Sequence, residues 1–144
     1  NSLSCASAGN CAAGGFYTDG SGHRQALVAR ETNGTWRPAI EVPGSGALNA
    51  GGNAQVASVS CASAGNCAAG GFYTDGSGHL QGFVVSQTNG TWRTAIEVPG
   101  LGTLNKGGVA VVNSVSCRSA GNCAAGGPYK DGSGHLQAFV VSQA

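Results

Sequence analysis

The chain has 144 residues, which is long enough for one domain with a buried core. Its 26 glycines, its lack of methionine and its charged fraction of 9% argue against a largely helical protein, because strong helix formers are scarce. The net charge is +1 and the basic residues are scattered, so we expect neither nucleic acid nor a membrane surface as a partner. No run of residues approaches the roughly 18 apolar positions that a membrane-spanning helix needs.

The sequence repeats itself with a period of about 56 residues, which aligns Cys5 with Cys61 and Cys117. The chain divides into three repeats that form one array rather than separate domains: 1–58, 59–114 and a partial third at 115–144. Self-similarity at a fixed period indicates a repeat architecture, in which each unit packs on its neighbours.

Each repeat begins with serines that alternate with apolar residues or cysteine, as in Ser58-Val-Ser-Cys61, and this alternation predicts a strand. A short Ala-Ser-Ala-Gly-Asn turn follows, and two cysteines bracket it. We therefore predict three local disulfides, which place the protein in an oxidising compartment, either secreted or at the cell surface: Cys5–Cys11, Cys61–Cys67 and Cys117–Cys123. A zinc site is the alternative, but structural zinc favours closer cysteine pairs.

The rest of the second repeat predicts three more strands. The second strand runs from Cys67 to Tyr73, and an Asp-Gly turn joins it to the third, from Leu80 to Gln87. An Asn-Gly turn leads into the fourth strand, from Trp92 to Val98. The segment from Leu101 to Gly108 is predicted as a loop that leads to the next repeat.

Four short antiparallel strands in one repeat are typical of a blade of a β-propeller. We therefore expect an all-β fold with two complete four-stranded blades and a partial third. A β-trefoil and a β-solenoid are the alternatives, and neither matches this repeat length and number as well. Trp36 and Trp92, at the start of the fourth strand, are expected to pack between blades.

Two complete blades and part of a third are too few to close a propeller, which needs about four or more. We therefore expect closure by oligomerisation, with a homodimer that supplies six blades around a two-fold axis. The alternative is that the chain is a natural or engineered fragment of a longer array.

Each complete repeat contains a Ser-x-Ser-Cys run, a second cysteine six positions later and an Asn-Gly-Thr-Trp turn. With these motifs, the repeat resembles tandem propeller repeats of exported actinobacterial proteins. The segment Ser86-Gln-Thr-Asn-Gly-Thr-Trp92 is also similar to the Asp-box turn of sialidase-like propellers, although it is one residue shorter and has Asn in place of Asp. The resemblance implies a lectin-like propeller fold. No sialidase catalytic residue has a matching position.

Near-identical repeats present the same few groups several times, which is typical of multivalent binding rather than of an active site. Asp75, Ser77 and His79 lie within one turn and cannot form a catalytic triad, so we expect no enzyme activity. The turn that joins the second and third strands lies at the same end of a blade as the link to the next one. The polar and aromatic groups at this end suit a sugar, and the candidate ligand contacts are Tyr17, Asp19, His23, Asn49, Tyr73, Asp75, His79, Asn105, Tyr129, Asp131 and His135.

These residues lead to one main functional prediction, which is non-catalytic, lectin-like binding of glycans or glycoconjugates without a metal or other cofactor. The alternative is a structural or protein-interaction scaffold with no small-molecule ligand, in which the Asp and His residues only shape their turns. A calcium loop is disfavoured because each turn carries one carboxylate. A glycosidase-like enzyme is the least favoured reading.

Overall fold

The computed structural model describes residues 1–143 and contains three antiparallel β-sheets, one for each repeat. Ala144, the last residue of the predicted third repeat, lies outside the described residues. Sheet 1 has five strands: β1 (Ser2–Ser7), β2 (Asn10–Thr18), β3 (Arg24–Thr32), β4 (Thr35–Trp36) and β5 (Ile40–Glu41). Sheet 2 also has five: β6 (Gln55–Ser63), β7 (Asn66–Thr74), β8 (Leu80–Thr88), β9 (Thr91–Trp92) and β10 (Ile96–Glu97). Sheet 3 has three among the described residues: β11 (Ser114–Ser119), β12 (Asn122–Lys130) and β13 (Leu136–Gln143). The predicted all-β class is confirmed.

The first three strands of each sheet form an up-and-down meander, in which strands that follow each other in sequence pair with each other. In sheets 1 and 2, both short strands pair with the third strand rather than with each other. The side chains alternate between the two faces of a sheet, as expected for a strand. On β8, Phe83 and Val85 pack toward sheet 1, whereas the intervening Val84 packs on the other face, toward sheet 3. Both faces of sheet 2 are therefore used for packing.

The three predicted disulfides are all present, and each joins the first two strands of its sheet across their hairpin turn. Cys61 and Cys67, for example, lie directly opposite each other on β6 and β7. Three intrachain disulfides fit an oxidising, extracellular environment.

The prediction of one continuous fourth strand, from Trp92 to Val98, is wrong. Two separate two-residue strands, β9 and β10, pair with β8 instead. Between them, the backbone N–H of Ala95 donates a hydrogen bond of 2.8 Å to the carbonyl oxygen of Pro43 in the preceding repeat. The fourth-strand segment is interrupted in both sheet 1 and sheet 2, and in sheet 2 this residue at the interruption bonds to the neighbouring repeat rather than to β8.

The sequence predicts a loop from Leu101 to Gly108, but this segment begins with a one-turn helix, α2 (Leu101–Leu104). The first repeat has the equivalent helix α1 (Ser45–Leu48). Gly100 precedes α2 with a φ of +79°, in the left-handed region that favours glycine. The side chain of Leu101 is buried between sheets 2 and 3 and anchors the turn. Neither helix described within residues 1–143 is long and apolar enough to cross a membrane.

The hydrophobic core forms two layers, one between each pair of neighbouring sheets. Trp92 belongs to the layer between sheets 1 and 2, where 8% of its surface stays exposed. Trp36 has the same position in the first repeat but is 49% exposed, because no described sheet covers that face of sheet 1. The expectation that these indoles pack between repeats therefore holds for Trp92 and fails for Trp36.

The first strands of the three sheets lie side by side, with β6 between β1 and β11. Serine hydroxyl oxygens of one strand accept hydrogen bonds of 2.9–3.0 Å from backbone N–H groups of the next strand. The donor and acceptor pairs are Val59 to Ser2, Cys61 to Ser4, Val115 to Ser58 and Cys117 to Ser60. The alternating serines therefore have a structural role, since they join each repeat to the next.

Candidate functional site

The turn between the second and third strands of each sheet is built around one aspartate. In sheet 2, one carboxylate oxygen of Asp75 accepts hydrogen bonds from the backbone N–H groups of Ser77, at 2.9 Å, and His79, at 3.0 Å. The other oxygen accepts a 3.0 Å hydrogen bond from the side-chain amide of Gln81. The same three bonds recur around Asp19 and Asp131.

These hydrogen bonds stabilise the charged form of each aspartate. The bond from Gln81, with help from the two backbone N–H groups, holds the pKa of Asp75 below its ordinary value. The pKa values of Asp19 and Asp131 are lowered in the same way, with the glutamine of the same turn as the largest cause. An aspartate with a lowered pKa is a poor general acid at neutral pH.

The glutamine at the start of the third strand is not among the predicted site residues, although it recurs as Gln25, Gln81 and Gln137. Its amide links the turn to the connection between repeats. In sheet 2, the side-chain oxygen of Gln81 accepts a 2.9 Å hydrogen bond from the amide of Asn105. Asp75, Gln81 and Asn105 therefore form one chain of hydrogen bonds, and the expected proximity of Asp75 and Asn105 is observed.

The two asparagines of the predicted site are buried and act inside the fold. The amide of Asn105 also donates to the carbonyl oxygen of Leu80, at 2.9 Å. Asn49 makes the same two donations in the first repeat, and its side-chain oxygen accepts from the backbone N–H groups of Asn53 and Thr74. Both asparagines are 5% exposed. A ligand would not reach them without a change in this part of the structure.

The three histidines of the predicted site are exposed at the same position of successive repeats. The ring of His79 lies against Gly108, where an added Cβ would come within 2.7 Å of its Cδ2 atom. His23 has the same relation to Gly52. Two of the rings are thus held against a glycine that precedes the next sheet, while their outer faces remain accessible.

The three tyrosines of the predicted site differ in their surroundings. Tyr73 is 3% exposed, and its hydroxyl donates a 3.1 Å hydrogen bond to Glu97. Burial, together with the nearby Glu97 carboxylate, raises its pKa. Tyr17 is 37% exposed and donates to Glu41 at 2.8 Å, a hydrogen bond that raises its own pKa. Tyr129 is half-buried and packs on the core between sheets 2 and 3. These tyrosines have equivalent positions in the sequence, but Tyr17 is the most exposed of the three and Tyr73 is buried.

The described residues bring together a small set of accessible groups at each turn, which are an imidazole, the backbone of the turn and part of one carboxylate. No group of three His, Cys, Asp or Glu side chains that could hold a metal ion occurs among residues 1–143. This arrangement can donate and accept hydrogen bonds at several equivalent points. It provides no nucleophile with an adjacent base.

Comparison with known proteins does not add a family to this picture. The sequence matches no protein-family model. It also has no match among the curated proteins that were compared with it.

Proposed function

We propose that the three sheets are blades of a β-propeller-type array and that the chain acts as a non-catalytic structural or protein-interaction scaffold. The blade geometry is supported by the three first strands, which lie side by side as the innermost strands of a propeller would. It is also supported by the serine hydrogen bonds, because the same donor and acceptor positions join each repeat to the next.

The observation that carries the scaffold function is the use of the repeated polar groups inside the fold. Each turn aspartate accepts two hydrogen bonds from its own turn and one from a glutamine on the strand that follows, and the two inter-repeat asparagines are buried. The aspartate oxygens are already satisfied in this way, so they contribute to a defined fold and offer less to a ligand. These hydrogen bonds support the scaffold proposal, in which the aspartates shape their turns.

Carbohydrate binding is the second candidate, and the exposed histidines favour it. His23, His79 and His135 present three imidazoles from equivalent turns, each next to an aspartate. Such a row of weak, equivalent sites would bind a glycan or glycoconjugate through avidity. In this proposal the contacts come from the histidines, the exposed part of each turn and Tyr17, and no metal or other cofactor takes part.

A glycan array with the oxidised full chain distinguishes the two candidates. The scaffold function predicts no saturable binding to any sugar. Sugar binding predicts saturable binding that is lost when His23, His79 and His135 are changed together to alanine. Because all three histidines are exposed, the triple variant is expected to fold, and circular dichroism checks this. The matched control is Arg93→Ala, an exposed change at another part of the repeat. Equal binding by the triple variant would refute the proposed sugar site.

We further propose that the chain is secreted or displayed at a cell surface. The three disulfides support this, because such bonds persist in oxidising compartments. The proposed partner is a second copy of the chain, which would cover the exposed outer faces of sheets 1 and 3.

A further inference from the structure

The chain contains two Asn-Gly pairs, at 33–34 and 89–90, which form equivalent turns in sheets 1 and 2. Each turn joins the third strand of its sheet to the short strand that follows. Asn33 and Asn89 both have a φ of +49°, and they are the two non-glycine residues with a positive φ in the described part of the chain. Both asparagines are exposed, so water reaches them.

An Asn-Gly pair is able to modify itself. The backbone nitrogen of the glycine attacks the Cγ atom of the asparagine side chain, so that a new C–N bond forms and the Cγ–Nδ2 bond breaks. Ammonia leaves with the proton that the glycine nitrogen gives up. Water then opens the succinimide ring at either of its carbonyl groups, which gives aspartate or isoaspartate. Glycine favours the attack because it has no Cβ in the way. The reaction therefore requires a glycine N–H group that is free to lose its proton.

In the fold, the glycine nitrogen of each pair is already bonded. The N–H group of Gly90 donates a 2.8 Å hydrogen bond to the carbonyl oxygen of Gly65. A Cβ added to Gly65 would come within 2.8 Å of the Gly90 nitrogen, so the two turns are in direct contact. In the first repeat, Gly34 donates to Gly9 at 2.9 Å with the same close approach. The nitrogen that would attack is thus held by a second turn.

The asparagine of each pair is held by the same second turn. The backbone N–H group of Asn89 donates a 3.2 Å hydrogen bond to Oδ1 of Asn66. Asn33 donates to Oδ1 of Asn10 at 3.3 Å. Two consecutive N–H groups of each pair therefore bond to two consecutive residues of the hairpin turn between the first and second strands.

A disulfide closes the turn that carries these acceptors. Gly65 and Asn66 lie inside the loop that the Cys61–Cys67 disulfide closes, and the Cys5–Cys11 disulfide closes the equivalent loop of sheet 1. A short closed loop has few conformations, so its acceptors stay in place. An open loop would have more conformations, and the glycine N–H group would be released more often.

We propose that the pairs at 33–34 and 89–90 are latent deamidation sites, and that the disulfide-closed loop of the same sheet protects each of them. Two molecules of a thiol reduce the disulfide to two cysteine thiols and are themselves oxidised to a disulfide. The repeat that loses its disulfide then converts its asparagine to aspartate or isoaspartate. This protection depends neither on the scaffold function nor on sugar binding.

Isoaspartate at position 89 does not fit the turn between β8 and β9, because it adds a methylene to the main chain and a negative charge. Trp92 follows on β9, where it lies opposite Gln87, and its indole belongs to the core between sheets 1 and 2. The modified turn loses this register and releases the indole. Reduction of the disulfide therefore leaves a covalent change that reoxidation does not reverse.

The first test compares deamidation rates at one mildly alkaline pH in the oxidised full chain, in the reduced full chain and in a synthetic peptide of residues 86–94 with blocked ends. Tandem mass spectrometry of peptide digests measures the conversion of each asparagine. In the oxidised chain we expect both asparagines to react at least about tenfold more slowly than in the peptide, because the reaction waits for local opening. Equal rates in the oxidised chain and the peptide, or in the oxidised and reduced chains, would overturn the proposal.

The second test removes one loop closure and keeps the other. In the double variant Cys61→Ser with Cys67→Ser, Asn89 should react at least about tenfold faster than in the wild type. Asn33 is the internal control, because it lies behind the intact Cys5–Cys11 disulfide. An unchanged rate at Asn89 in this variant would show that the disulfide does not protect the pair.

A reciprocal pair of single variants keeps all three disulfides and separates the local effect from general unfolding. Asn66→Ala removes the acceptor for Asn89, and Asn10→Ala removes the acceptor for Asn33. Each variant should accelerate deamidation a few-fold at its own pair and leave the other pair unchanged, since one hydrogen bond is lost. Each is thus the matched control of the other. Equal acceleration at both pairs, or at neither, would contradict protection by the loop of the same sheet.

Discussion

The carboxylate of Asp75 organises its own turn, since its three hydrogen bonds all come from within six residues of the sequence. This resembles the role of an aspartate that caps a helix, because a side-chain oxygen satisfies backbone N–H groups that have no partner in regular structure. The equivalent aspartates, Asp19 and Asp131, have the same arrangement. The residue most suggestive of a binding site in the sequence is thus explained by local folding.

We therefore expect Asp75→Ala to lower the free energy of unfolding by about 1–2 kcal/mol at neutral pH, because three hydrogen bonds to a carboxylate in a partly exposed turn are lost. Urea denaturation of the oxidised protein measures the change. Ser77→Ala is the matched control, since Ser77 contacts Asp75 through its backbone N–H and not through its hydroxyl. Equal stability of the wild type and Asp75→Ala would show that the turn does not need the carboxylate.

We also expect Asp75→Ala to change how the free energy of unfolding depends on pH. A carboxyl group whose pKa is lowered in the folded state stabilises the fold at pH values above its unfolded pKa of 3.8. This stabilisation is lost as the pH falls through the lowered pKa of the folded state. The difference between the wild type and Asp75→Ala should therefore shrink below about pH 4. If the difference in unfolding free energy between the wild type and Asp75→Ala stays constant down to about pH 2, the hydrogen bonds do not depend on the charge of Asp75.

At the scale of secondary structure, the long strands and the disulfides are the parts that the sequence predicts well. The alternation in Ser58-Val-Ser-Cys61 and the β-branched residues of β8 are local signals of a strand. Because side chains alternate between the two faces of a sheet, a period of two in the sequence is sufficient to predict these strands. The short spacing of Cys61 and Cys67 fits a hairpin, which is what the structure contains. Local patterns are sufficient where local contacts decide the structure.

The elements that the sequence did not predict lie where neighbouring repeats make contact. At the interruption of the fourth strand in sheet 2, Ala95 bonds to Pro43, about fifty residues earlier, and α2 forms where Leu101 is buried against the next sheet. In the predicted site, Asn105 is buried because it satisfies groups on β8. The periodicity of the sequence does not show which distant residues become partners. The sequence therefore predicts neither the interruption of the fourth strand, nor α2, nor the burial of Asn105.

The two tryptophans provide a matched test of packing between sheets, because they have the same position in their repeats and different surroundings. Trp92→Ala removes an indole that is 8% exposed and should cost about 3–5 kcal/mol of unfolding free energy. In dilute solution, Trp36→Ala removes one that is 49% exposed and should cost less than about 1 kcal/mol. Chemical denaturation at low protein concentration measures both. Equal costs would mean that the core layer between sheets 1 and 2 does not depend on Trp92.

At the scale of the whole molecule, the outer faces of sheets 1 and 3 carry residues at the same repeat positions as the residues that pack together between sheets 1 and 2. Sheet 1 exposes Leu3, Tyr17 and Trp36, whose equivalents in sheet 2 are buried against sheet 1. Sheet 3 exposes Leu136 and Val140 on its outer face, and Val140 is 79% exposed. The internal interface between sheets 1 and 2 is therefore a template for docking sheet 3 of one copy onto sheet 1 of another. Such a contact would be heterologous, so it would form a ring if the rotation closes and a filament if it does not.

We predict that the 144-residue chain forms a closed pair, in which sheet 3 of each copy covers Trp36 of the other. Light scattering of the oxidised protein should then give twice the 14.0 kDa mass of one chain, with no larger species as the concentration rises. Trp36→Asp should convert the pair to monomers, since it places a charge in an apolar contact. Leu104→Asp is the control, because Leu104 is exposed on α2 and has no part in this contact. A folded monomer at every concentration, or a pair that survives Trp36→Asp, would exclude association through these faces.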